Sequence, residues 1–514
     1  MLVNPRLTPS RQASGCWPAY SAKAAAELDR QVIAAGTPGF TLMQKAAQAA
    51  WQLARQKWPQ AKRISVFCGG GNNGGDGLLF ALYAWQAGLQ VRLWLAADPE
   101  RYRNEAAQAW QQLVDAGLEA EQQEPCLQDL QQDDLLVDAL LGIGLQGEVR
   151  GQAKNWIALL NQAAAPTFAL DTPSGLLVDQ GQVAGVSVQA EVTLTFIVLK
   201  PGLLTGEGPD WAGEVWLADL GVLAENFAIE PQAWILGKQA DAAALQPRKA
   251  ASHKGSHGRL LILAGEQGMG GAAILAAQAA LRSGAGMVKL LTAEANLPGV
   301  LARQPEVMVE AWQRGQTGQE QLAAALTWAD ALLVGPGLGQ SEQALAGWRG
   351  CWNFSGPLVV DADALNLWAT GAQPPLEVAR RCLLTPHPGE AARLLGWPLA
   401  EVQRQRLKAV TQLCQKTQAV SLLKGAGSLI GLPEQTQAWL CPFGNPGMGV
   451  AGMGDLLAGC LAALLAQGVA PPEAARLAVR LHAQAGDQAA QDQPRGLLPS
   501  DLLPFLRAGV NSGV

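Results

Sequence analysis

The sequence has little of what marks secreted, zinc-stapled or membrane-spanning proteins. Its eight cysteines are scattered through 514 residues and none forms a Cys-x-x-Cys pair. We therefore expect reduced thiols in a cytosolic protein, with neither a zinc site nor a disulfide framework. The longest apolar run, residues 456–466, is shorter than the roughly 20 residues that a bilayer-spanning helix needs. It predicts a core helix.

Charged residues are also sparse, and their balance is acidic. They make up 16% of the chain, with a formal net charge of −6, which argues against nonspecific nucleic-acid binding and leaves no basic tail for a membrane surface. Residues 1–15 are polar and lack the apolar stretch of a signal peptide. The sequence thus predicts a cytoplasmic protein with small-molecule ligands and no nucleic-acid or membrane partner, and it leaves a homo-oligomer open.

What the chain does have is length and a hydrophobic content of 49%, which together predict more than one globular domain. Apolar runs alternate with helical periods in both halves, a pattern typical of βαβ units and hence of α/β domains with parallel sheets. Strands are expected at 64–67, 90–95, 134–141, 167–170 and 192–198, and then at 259–263, 288–291, 331–334, 358–360 and 421–423. Residues 238–252 are interpreted as a linker between domains at 1–237 and 253–514.

The most informative segment is 444–455, where five glycines and a single acid, Asp455, precede the apolar helix. Glycine lets the backbone approach a ligand, and a helix start presents free N–H groups and a positive dipole end, which suit a phosphate. Asp455 would repel a phosphate and is better placed as the base for a hydroxyl about to be phosphorylated. The segment predicts phosphoryl transfer to an alcohol; the structural alternative is a tight loop capped by Asp455.

A second glycine-rich segment, residues 69–77, follows the first expected strand and opens a helix. Glycine clusters are common in ordinary βα turns. The tandem asparagines Asn72 and Asn73, with Asp76 close behind, are less common and favour a binding loop whose N–H groups contact phosphate.

Three more titratable residues lie at expected strand ends of the first half, namely Asp138, Asp171 and Lys200. An acid and a lysine at a sheet rim often form only an ion pair, but several converging at one edge favour a site, since ligands bind there in parallel sheets. Asn73, Asp138 and Ser174 offer only oxygen ligands, which suit a hard cation rather than zinc.

Four motifs of the first half together resemble the NAD(P)H-hydrate epimerase domain; they lie at 72–77, 138–145, 171–175 and 195–202. The resemblance implies a Rossmann-like parallel sheet. It implies that the hydrated dinucleotide is bound by Asn72, Asn73, Gly74, Gly75, Asp76, Gly142, Ile143, Gly144, Leu145, Gln146, Gly147, Glu148 and Asp171. It further implies potassium at Asn73, Asp138 and Ser174, and acid/base roles at the nicotinamide C6 for Asp171 and Lys200. Ile143 stands where the family usually has threonine, which removes one hydroxyl from the phosphate loop.

The second half, from residue 254 to about 487, resembles the ADP/ATP-dependent NAD(P)H-hydrate dehydratase, which has a ribokinase-like fold. Its motifs lie at 265–273, 335–339, 361–366, 385–390, 424–428 and 444–455. The resemblance implies substrate binding by Ala272, Gly337, His387 and Asp455, and nucleotide binding by Lys424, Gly425, Ala426, Gly427, Ser428 and Gly454.

Two acids of this half are given more specific interpretations. By the resemblance, Asp455 would deprotonate the C6 hydroxyl, and Glu390 would hold magnesium through water. Asp361 and Asp363 are interpreted only as strand-end caps.

Together the resemblances imply two three-layer α/β domains that repair hydrated NADH and NADPH. The N-terminal domain would interconvert the R and S hydrates, and the C-terminal domain would dehydrate the S hydrate with ADP or ATP. Phosphorylation would make the hydroxyl a leaving group that the ring nitrogen can expel. Two alternatives stay open: a vitamin-precursor kinase of the same fold, and a non-catalytic dinucleotide sensor. ADP and ATP both stay open as the co-substrate, and NADH hydrate and NADPH hydrate both stay open as the preferred substrate.

Overall fold

A computed structural model describes residues 2–8, 10, 15–130, 133–491 and 493–512, which divide into two compact units. Unit 1 holds residues 17–237 with the N-terminal residues up to 10, and unit 2 holds residues 238–512 with residues 15 and 16. Residues 238–252 are thereby grouped with unit 2. Within that unit the Arg476 guanidinium donates to the Asp241 carboxylate over 2.8 and 2.9 Å.

Unit 1 is built on a seven-stranded sheet. Its elements are β1 (Leu2–Val3), β2 (Cys16–Ala19), α1 (Ala22–Ala34), α2 (Gly39–Lys57), β3 (Arg63–Cys68), α3 (Asn72–Gln86), β4 (Gln90–Leu95), α4 (Asn104–Asp115), α5 (Leu127–Leu130), β5 (Leu135–Ala139), α6 (Gly151–Leu160), β6 (Thr167–Leu170), β7 (Leu176–Leu177), β8 (Gln182–Val183), β9 (Val192–Phe196), α7 (Gly208–Ala212), β10 (Glu214–Ala218) and β11 (Ala233–Leu236). The sheet order is β1-β10-β9-β6-β5-β3-β4, and only β1 runs antiparallel to its neighbour.

Helix α3 positions the first glycine-rich segment against the sheet. Its residues from Asn73 to Leu82 are all buried, as expected of a helix that is apolar on every face. A side chain at Gly74 would overlap the carbonyl oxygen of Gly69, and one at Gly77 would lie 2.5 Å from the Ala139 methyl. Glycine therefore lets the start of α3 rest directly on the ends of β3 and β5.

Unit 2 is built on a larger mixed sheet. Its elements are β12 (Arg259–Leu263), α8 (Gly270–Arg282), β13 (Met287–Thr292), α9 (Leu297–Arg303), β14 (Met308–Ala311), α10 (Gly315–Trp328), β15 (Ala331–Val334), α11 (Glu342–Gly350), β16 (Leu358–Val360), α12 (Ala362–Ala369), α13 (Leu376–Ala379), β17 (Cys382–Leu384), α14 (Pro388–Leu395), α15 (Leu399–Arg404), α16 (Arg406–Thr417), β18 (Val420–Leu423), β19 (Ser428–Gly431), β20 (Ala438–Cys441), α17 (Met453–Ala466), α18 (Pro471–Ala490) and α19 (Leu503–Gly509). In this unit the order is β14-β13-β12-β15-β16-β17-β18-β19-β20, parallel from β14 to β18 and antiparallel after it.

Helix α17, the predicted core helix, is buried along most of its length. It packs closely on α8, since a side chain at Gly459 would overlap the carbonyl oxygen of Ala276. The contact fixes the start of α17 relative to the start of α8, so both helix N-termini meet the same edge of the sheet.

The predicted α/β class and its parallel strands are confirmed. Five strands have the expected bounds, whereas the expected 134–141 and 192–198 are too long. Strand β9 ends at Phe196 because Ile197 takes a left-handed φ of 64°. Strand β5 ends at Ala139, where the Asp138 carboxylate turns back to accept from the Leu140 N–H at 3.1 Å.

The structure also bears on the expectations about membrane-spanning helices and about the cysteines. No helix within the described ranges is long and apolar enough to cross a bilayer. All eight cysteines carry free thiols, seven of them buried.

Candidate active sites

Unit 1 carries a cavity of about 720 Å³ at the carboxyl ends of β3, β5, β6 and β9. The sequence-predicted residues that line it are Asn72, Asn73, Asp76, Gly142, Ile143, Gly144, Leu145, Gln146, Asp171 and Lys200. Gly74, Gly75, Gly147 and Glu148 do not line this cavity. Gly75 instead faces Met43. A side chain added at Gly75 would begin 2.8 Å from the Sδ atom of Met43.

Asp171 and Lys200 form a buried ion pair at the cavity wall. Lys200 is 2% exposed, and its Nζ lies 2.7 Å from Asp171 Oδ1 and 2.8 Å from Thr195 Oγ1. Asp171 Oδ1 also accepts from the Phe196 N–H at 3.3 Å. Oδ2 has no hydrogen-bond partner among the described residues and lies 3.8 Å from where a side chain on Gly142 would begin. One carboxylate oxygen is thus fixed and the other is free to meet a ligand.

Asp171 is held in a strained backbone conformation. Its φ of 61° is left-handed, and Ile197, which follows the neighbouring strand β9, has a φ of 64°. A non-glycine residue keeps such a conformation only where its surroundings enforce it, and these positions cluster at functional sites.

Asn73, Asp138 and Ser174 converge beneath the cavity as a set of oxygen donors. Asp138 is fully buried and accepts from the Ser174 N–H at 2.7 Å and its hydroxyl at 2.6 Å. Burial raises the pKa of Asp138 to about 6, against the lowering effect of these hydrogen bonds. Asn73 donates to the Leu141 carbonyl at 3.0 Å, while its buried Oδ1 has no partner in the described structure.

The cavity also holds carboxyl groups that the sequence analysis did not single out or did not weigh as acids. Asp29 on α1 and Glu105 on α4 line it together with Asp76. Burial and the charges of Asp171 and Asp29 raise the pKa of Asp76 well above its usual value. Burial and the charge of Glu105 raise the pKa of Asp29. Asp29 could not be identified from the sequence, because an isolated acid on an amphipathic helix ordinarily faces solvent.

In unit 2, the glycine-rich segment 444–455 is anchored before α17 begins. The carboxylate of Asp487 on α18 accepts from the Gly444 N–H at 3.1 Å and from Asn445 Nδ2 at 3.2 Å. Gly452, with a left-handed φ of 95°, then caps α17. Asp455 lies in the first turn of that helix, where the sequence placed it.

Asp455 and Lys424 lie at the centre of a charged cluster. Lys424 Nζ lies 2.9 Å from Asp361 Oδ1 and 3.2 Å from where a side chain on Gly454 would begin. Asp361 also accepts from the Thr385 hydroxyl at 2.7 Å. The ammonium group therefore sits directly against the start of α17.

The charges in this cluster shift both central pKa values. Burial, aided by the charge of Asp361 and opposed by that of Lys424, raises the pKa of Asp455 to about 7. Burial by itself would lower the pKa of Lys424, but the carboxylates of Asp361 and Glu390 raise it overall. At neutral pH Lys424 is charged while Asp455 can give or take a proton.

Asp361 and Asp363, which the sequence analysis interpreted only as strand-end caps, contact residues that follow other strands. Asp361 occupies the N-cap position of α12 but makes no side-chain cap bond; its partners are Lys424 and Thr385. Asp363 accepts from the Gly339 N–H at 2.9 Å and so fixes a neighbouring loop. Both acids act on other strand ends rather than on their own helix.

The loop at 425–428 is held from below by Arg406, a residue that the sequence analysis missed. Arg406 is 2% exposed, and its Nη2 donates to the carbonyls of Lys424 and Gly427 at 3.2 and 3.4 Å. Burial lowers the pKa of Arg406 to about 10, so it stays charged. Gly425 and Gly427 have left-handed φ values of 131° and 60°, a backbone conformation that is common in loops that bind phosphate.

His387 and Glu390 form a capping box at the start of α14. Glu390 Oε2 accepts from the His387 N–H at 2.8 Å, and His387 Nε2 lies 3.2 Å from Oε1. Burial would raise the pKa of Glu390, but the hydrogen bond from His387 and the charge of Lys424 lower it overall. No three His, Cys, Asp or Glu side chains within the described residues are grouped as a metal site.

Ala272 and Gly337, the two small residues assigned to the substrate, are neighbours. A side chain at Gly337 would begin 3.3 Å from the Ala272 methyl and 2.8 Å from the Met269 carbonyl oxygen, and its φ of 55° is left-handed. The two residues keep a backbone-walled surface between α8 and the loop after β15.

Both units match known protein families. The family model described as NAD(P)H-hydrate dehydratase matches residues 260–507, and that described as YjeF-related protein N-terminus matches residues 39–202. A bifunctional NAD(P)H-hydrate repair enzyme from Coxiella burnetii is 40% identical and covers 96% of this chain and 99% of its own. Its counterpart from Vibrio cholerae is 41% identical and covers 92% and 94%.

A solved structure of a ribokinase-like superfamily protein from Enterococcus faecalis is 28% identical, with a TM-score of 0.50, and covers 55% of this chain and 96% of that one. The predicted repair function and ribokinase-like second half are thereby confirmed. The chain belongs to the family of bifunctional NAD(P)H-hydrate repair enzymes, with an N-terminal epimerase domain and a C-terminal dehydratase domain.

Proposed function

We propose that residues 1–237 epimerise hydrated NADH or NADPH at Asp171 and Lys200, and that residues 253–514 dehydrate the S hydrate at Asp455, with 238–252 joining the two domains. The observation that carries the proposal is the Asp455 carboxyl, whose pKa of about 7 suits a general base at the start of a helix that is built to face phosphate.

In the dehydratase domain, Asp455 takes the proton of the C6 hydroxyl while that oxygen attacks the terminal phosphoryl group of ADP or ATP. Lys424 and the N–H groups around Gly454 stabilise the charge on the transferred group. The ring nitrogen then expels phosphate from C6 and a proton leaves C5, which restores the dihydropyridine. The products are NAD(P)H, phosphate and AMP or ADP.

In the epimerase domain, Asp171 presents its free oxygen to the cavity while Lys200 holds the other. We propose that Asp171 takes the proton of the C6 hydroxyl and delivers it to the ring nitrogen as the N1–C6 bond breaks to leave an aldehyde. The nitrogen then adds to the other face of the aldehyde, and the proton returns to the oxygen, which gives the other epimer. The buried Lys200 Nζ, 2.7 Å from Asp171 Oδ1, holds the carboxyl group in its orientation. Asp76, whose pKa is raised by its burial, lines the same cavity.

The oxygen set of unit 1 fits potassium. The buried Asn73 Oδ1 has no hydrogen-bond partner among the described residues, and an amide oxygen, a carboxylate and a hydroxyl suit a hard monovalent cation. Asn73, Asp138 and Ser174 would hold the ion. Its charge would offset that of a bound pyrophosphate.

Glu390 fits magnesium only at a distance. Both of its oxygens already meet His387, so direct ligation would break the cap of α14. We propose that Glu390 orients a water on a magnesium ion carried in by the nucleotide phosphates. Lys424 and the loop at 425–428 would bind those phosphates.

The test of this function is the recovery of absorbance at the reduced-nicotinamide band. A mixed R and S hydrate preparation is incubated with the enzyme and ADP, ATP or no nucleotide. We expect complete recovery with a nucleotide and none without it. Recovery that stops once the S form is consumed would remove the epimerase assignment. A stable phosphorylated product would favour the vitamin-precursor kinase, and binding without turnover the sensor.

A further inference from the structure

Unit 2 holds a second large cavity that no proposed step uses. It has a volume of about 1060 Å³ and lies beyond the carboxyl ends of β12, β13 and β14. Its wall includes Glu266, Glu294, Trp312, Arg314, Leu338 and Gln343.

The order of the strands places this cavity on the side of the dehydratase site away from the nucleotide. The loop at 425–428 follows β18, which lies four strands from β12 in the sheet, or roughly 19 Å at about 4.8 Å per strand. The second cavity lies on the other side of β12, along the ends of β12, β13 and β14. Asp455 and the substrate residues Ala272 and Gly337 stand between them.

The cavity shares a wall with the substrate site. The Glu266 N–H donates to the Gly337 carbonyl at 2.6 Å, and the Gly265 N–H donates to the Pro336 carbonyl at 3.0 Å. A dinucleotide whose nicotinamide meets Asp455 has a second nucleoside that must continue past Gly337. The phosphate loop occupies the other side, so this cavity is where that half fits.

The lining suits an adenosine phosphate. The indole of Trp312 is fixed by its N–H donating to the Gly318 carbonyl at 3.2 Å and offers an apolar surface for a base. Arg314 is the only basic residue among the described residues that line the cavity, and its guanidinium makes no hydrogen bond or ion pair with any of them. A nearby arginine accommodates the 2′-phosphate that distinguishes NADP from NAD.

We propose that this cavity binds the adenosine half of the hydrated dinucleotide in the dehydratase domain, and that Arg314 contacts the 2′-phosphate of NADPH hydrate. The inference rests on the proposed function of Asp455 and Gly337, because it extends the same substrate beyond the reacting ring.

The first experiment measures kcat and KM for pure S-NADPH hydrate and S-NADH hydrate at saturating ADP. In Arg314→Ala we expect the KM for NADPH hydrate to rise about tenfold or more, as for loss of a charge-assisted hydrogen bond. The KM for NADH hydrate should change less than about twofold, with kcat unchanged. Arg349→Ala, an exposed arginine on α11, is the control. Equal effects on both hydrates, or none, would overturn the assignment of Arg314.

The second experiment fills the cavity. Ala295 is exposed at its rim, so Ala295→Trp should fold while raising the KM for both hydrates about tenfold and leaving the KM for ADP unchanged. Ala323→Trp on the exposed face of α10 is the matched control. An unchanged hydrate KM in an active Ala295→Trp enzyme would overturn the subsite alone, whereas an inactive wild-type enzyme would instead overturn the proposed function.

Discussion

At the scale of single residues, Asp455 combines a raised pKa with a position in the first turn of α17, and both suit the general base that we propose. Its carboxyl is surrounded by Asp361, Asp363 and Glu390, whose charges resist its ionisation. A base with a pKa of about 7 is matched to work near neutral pH. We therefore expect kcat/KM for dehydration to rise with pH up to about 7 and then level off.

Asp455→Asn should remove this dependence together with most of the activity, by about 100-fold to 10,000-fold. The measurement is the initial rate of nucleotide-dependent recovery of reduced nicotinamide between pH 5 and 9. A variant that retained the rise with pH would show that another group is the base. The epimerase activity of the same protein is the control, since unit 1 contains none of these residues.

The same substitution should raise stability at high pH. The folded pKa of Asp455 lies above the unfolded value, so the native state binds more protons between about pH 4 and 7 and loses stability as pH rises through that window. The Asp455→Asn variant has no carboxyl group at this position, so its stability does not fall in this way as the pH rises. The midpoint of thermal unfolding of the variant should therefore exceed that of the wild type at pH 8 and match it near pH 4, a trade of stability for activity.

The residues that the sequence could identify are those in short motifs, such as Asp455 and Lys424, where glycines and the charged group lie side by side in the chain. Arg406, Asp29 and the true partner of Asp361 could not be identified in this way. Arg406 meets Lys424 across 18 positions and Asp361 meets it across 63. Such pairings are set by which strands become neighbours, and no local pattern records that.

At the scale of elements, the contact between α8 and α17 should control the dehydratase geometry. In Gly459→Ala the added methyl would overlap the Ala276 carbonyl, so the helices must move apart. We expect a loss of about 1–3 kcal/mol in the free energy of unfolding, as for other overpacked cores. Because α17 carries Asp455 and α8 carries Ala272, the dehydration rate should fall by up to about 100-fold.

The matched control is Gly299→Ala on α9, where an added methyl would lie 4.0 Å from the nearest atom, in Ile274. There we expect no loss, or a gain of up to about 1 kcal/mol, since alanine restricts the unfolded chain. The measurements are denaturant unfolding and the two activities. Normal stability and normal dehydration in Gly459→Ala would show that the contact is softer than the structure indicates.

Element bounds follow from the sequence where burial dictates the pattern. Strands of a covered parallel sheet are continuous apolar runs between polar ends, so β6, β12, β15 and β16 match their expected bounds. Helix α3 begins at Asn72, inside the glycine-rich segment 69–77. Three glycines in its first turns oppose helix by propensity, and close packing against β3 and β5 overrides that preference.

At the scale of the whole molecule, each unit contains a core of its own and a complete candidate site. Asp171 and Lys200 have all their described partners in unit 1, and Asp455 and Lys424 have theirs in unit 2. The intermediate passed between the two activities, the S hydrate, is a stable small molecule. The two reactions should therefore work equally well when they are carried by different chains.

This can be tested by complementation between two inactive sites. Lys200→Met leaves Asp171 without its cation and should abolish epimerisation, so recovery from a mixed hydrate stops when the S form is consumed. Asp455→Asn alone should give no nucleotide-dependent recovery. An equimolar mixture of the two variants should restore complete recovery, at about half the wild-type rate per chain, because each protein supplies the site that the other lacks. If the mixture stops at the S fraction while Asp455→Asn still converts R to S by chromatography, repair requires both sites in one chain, and the units are not independent.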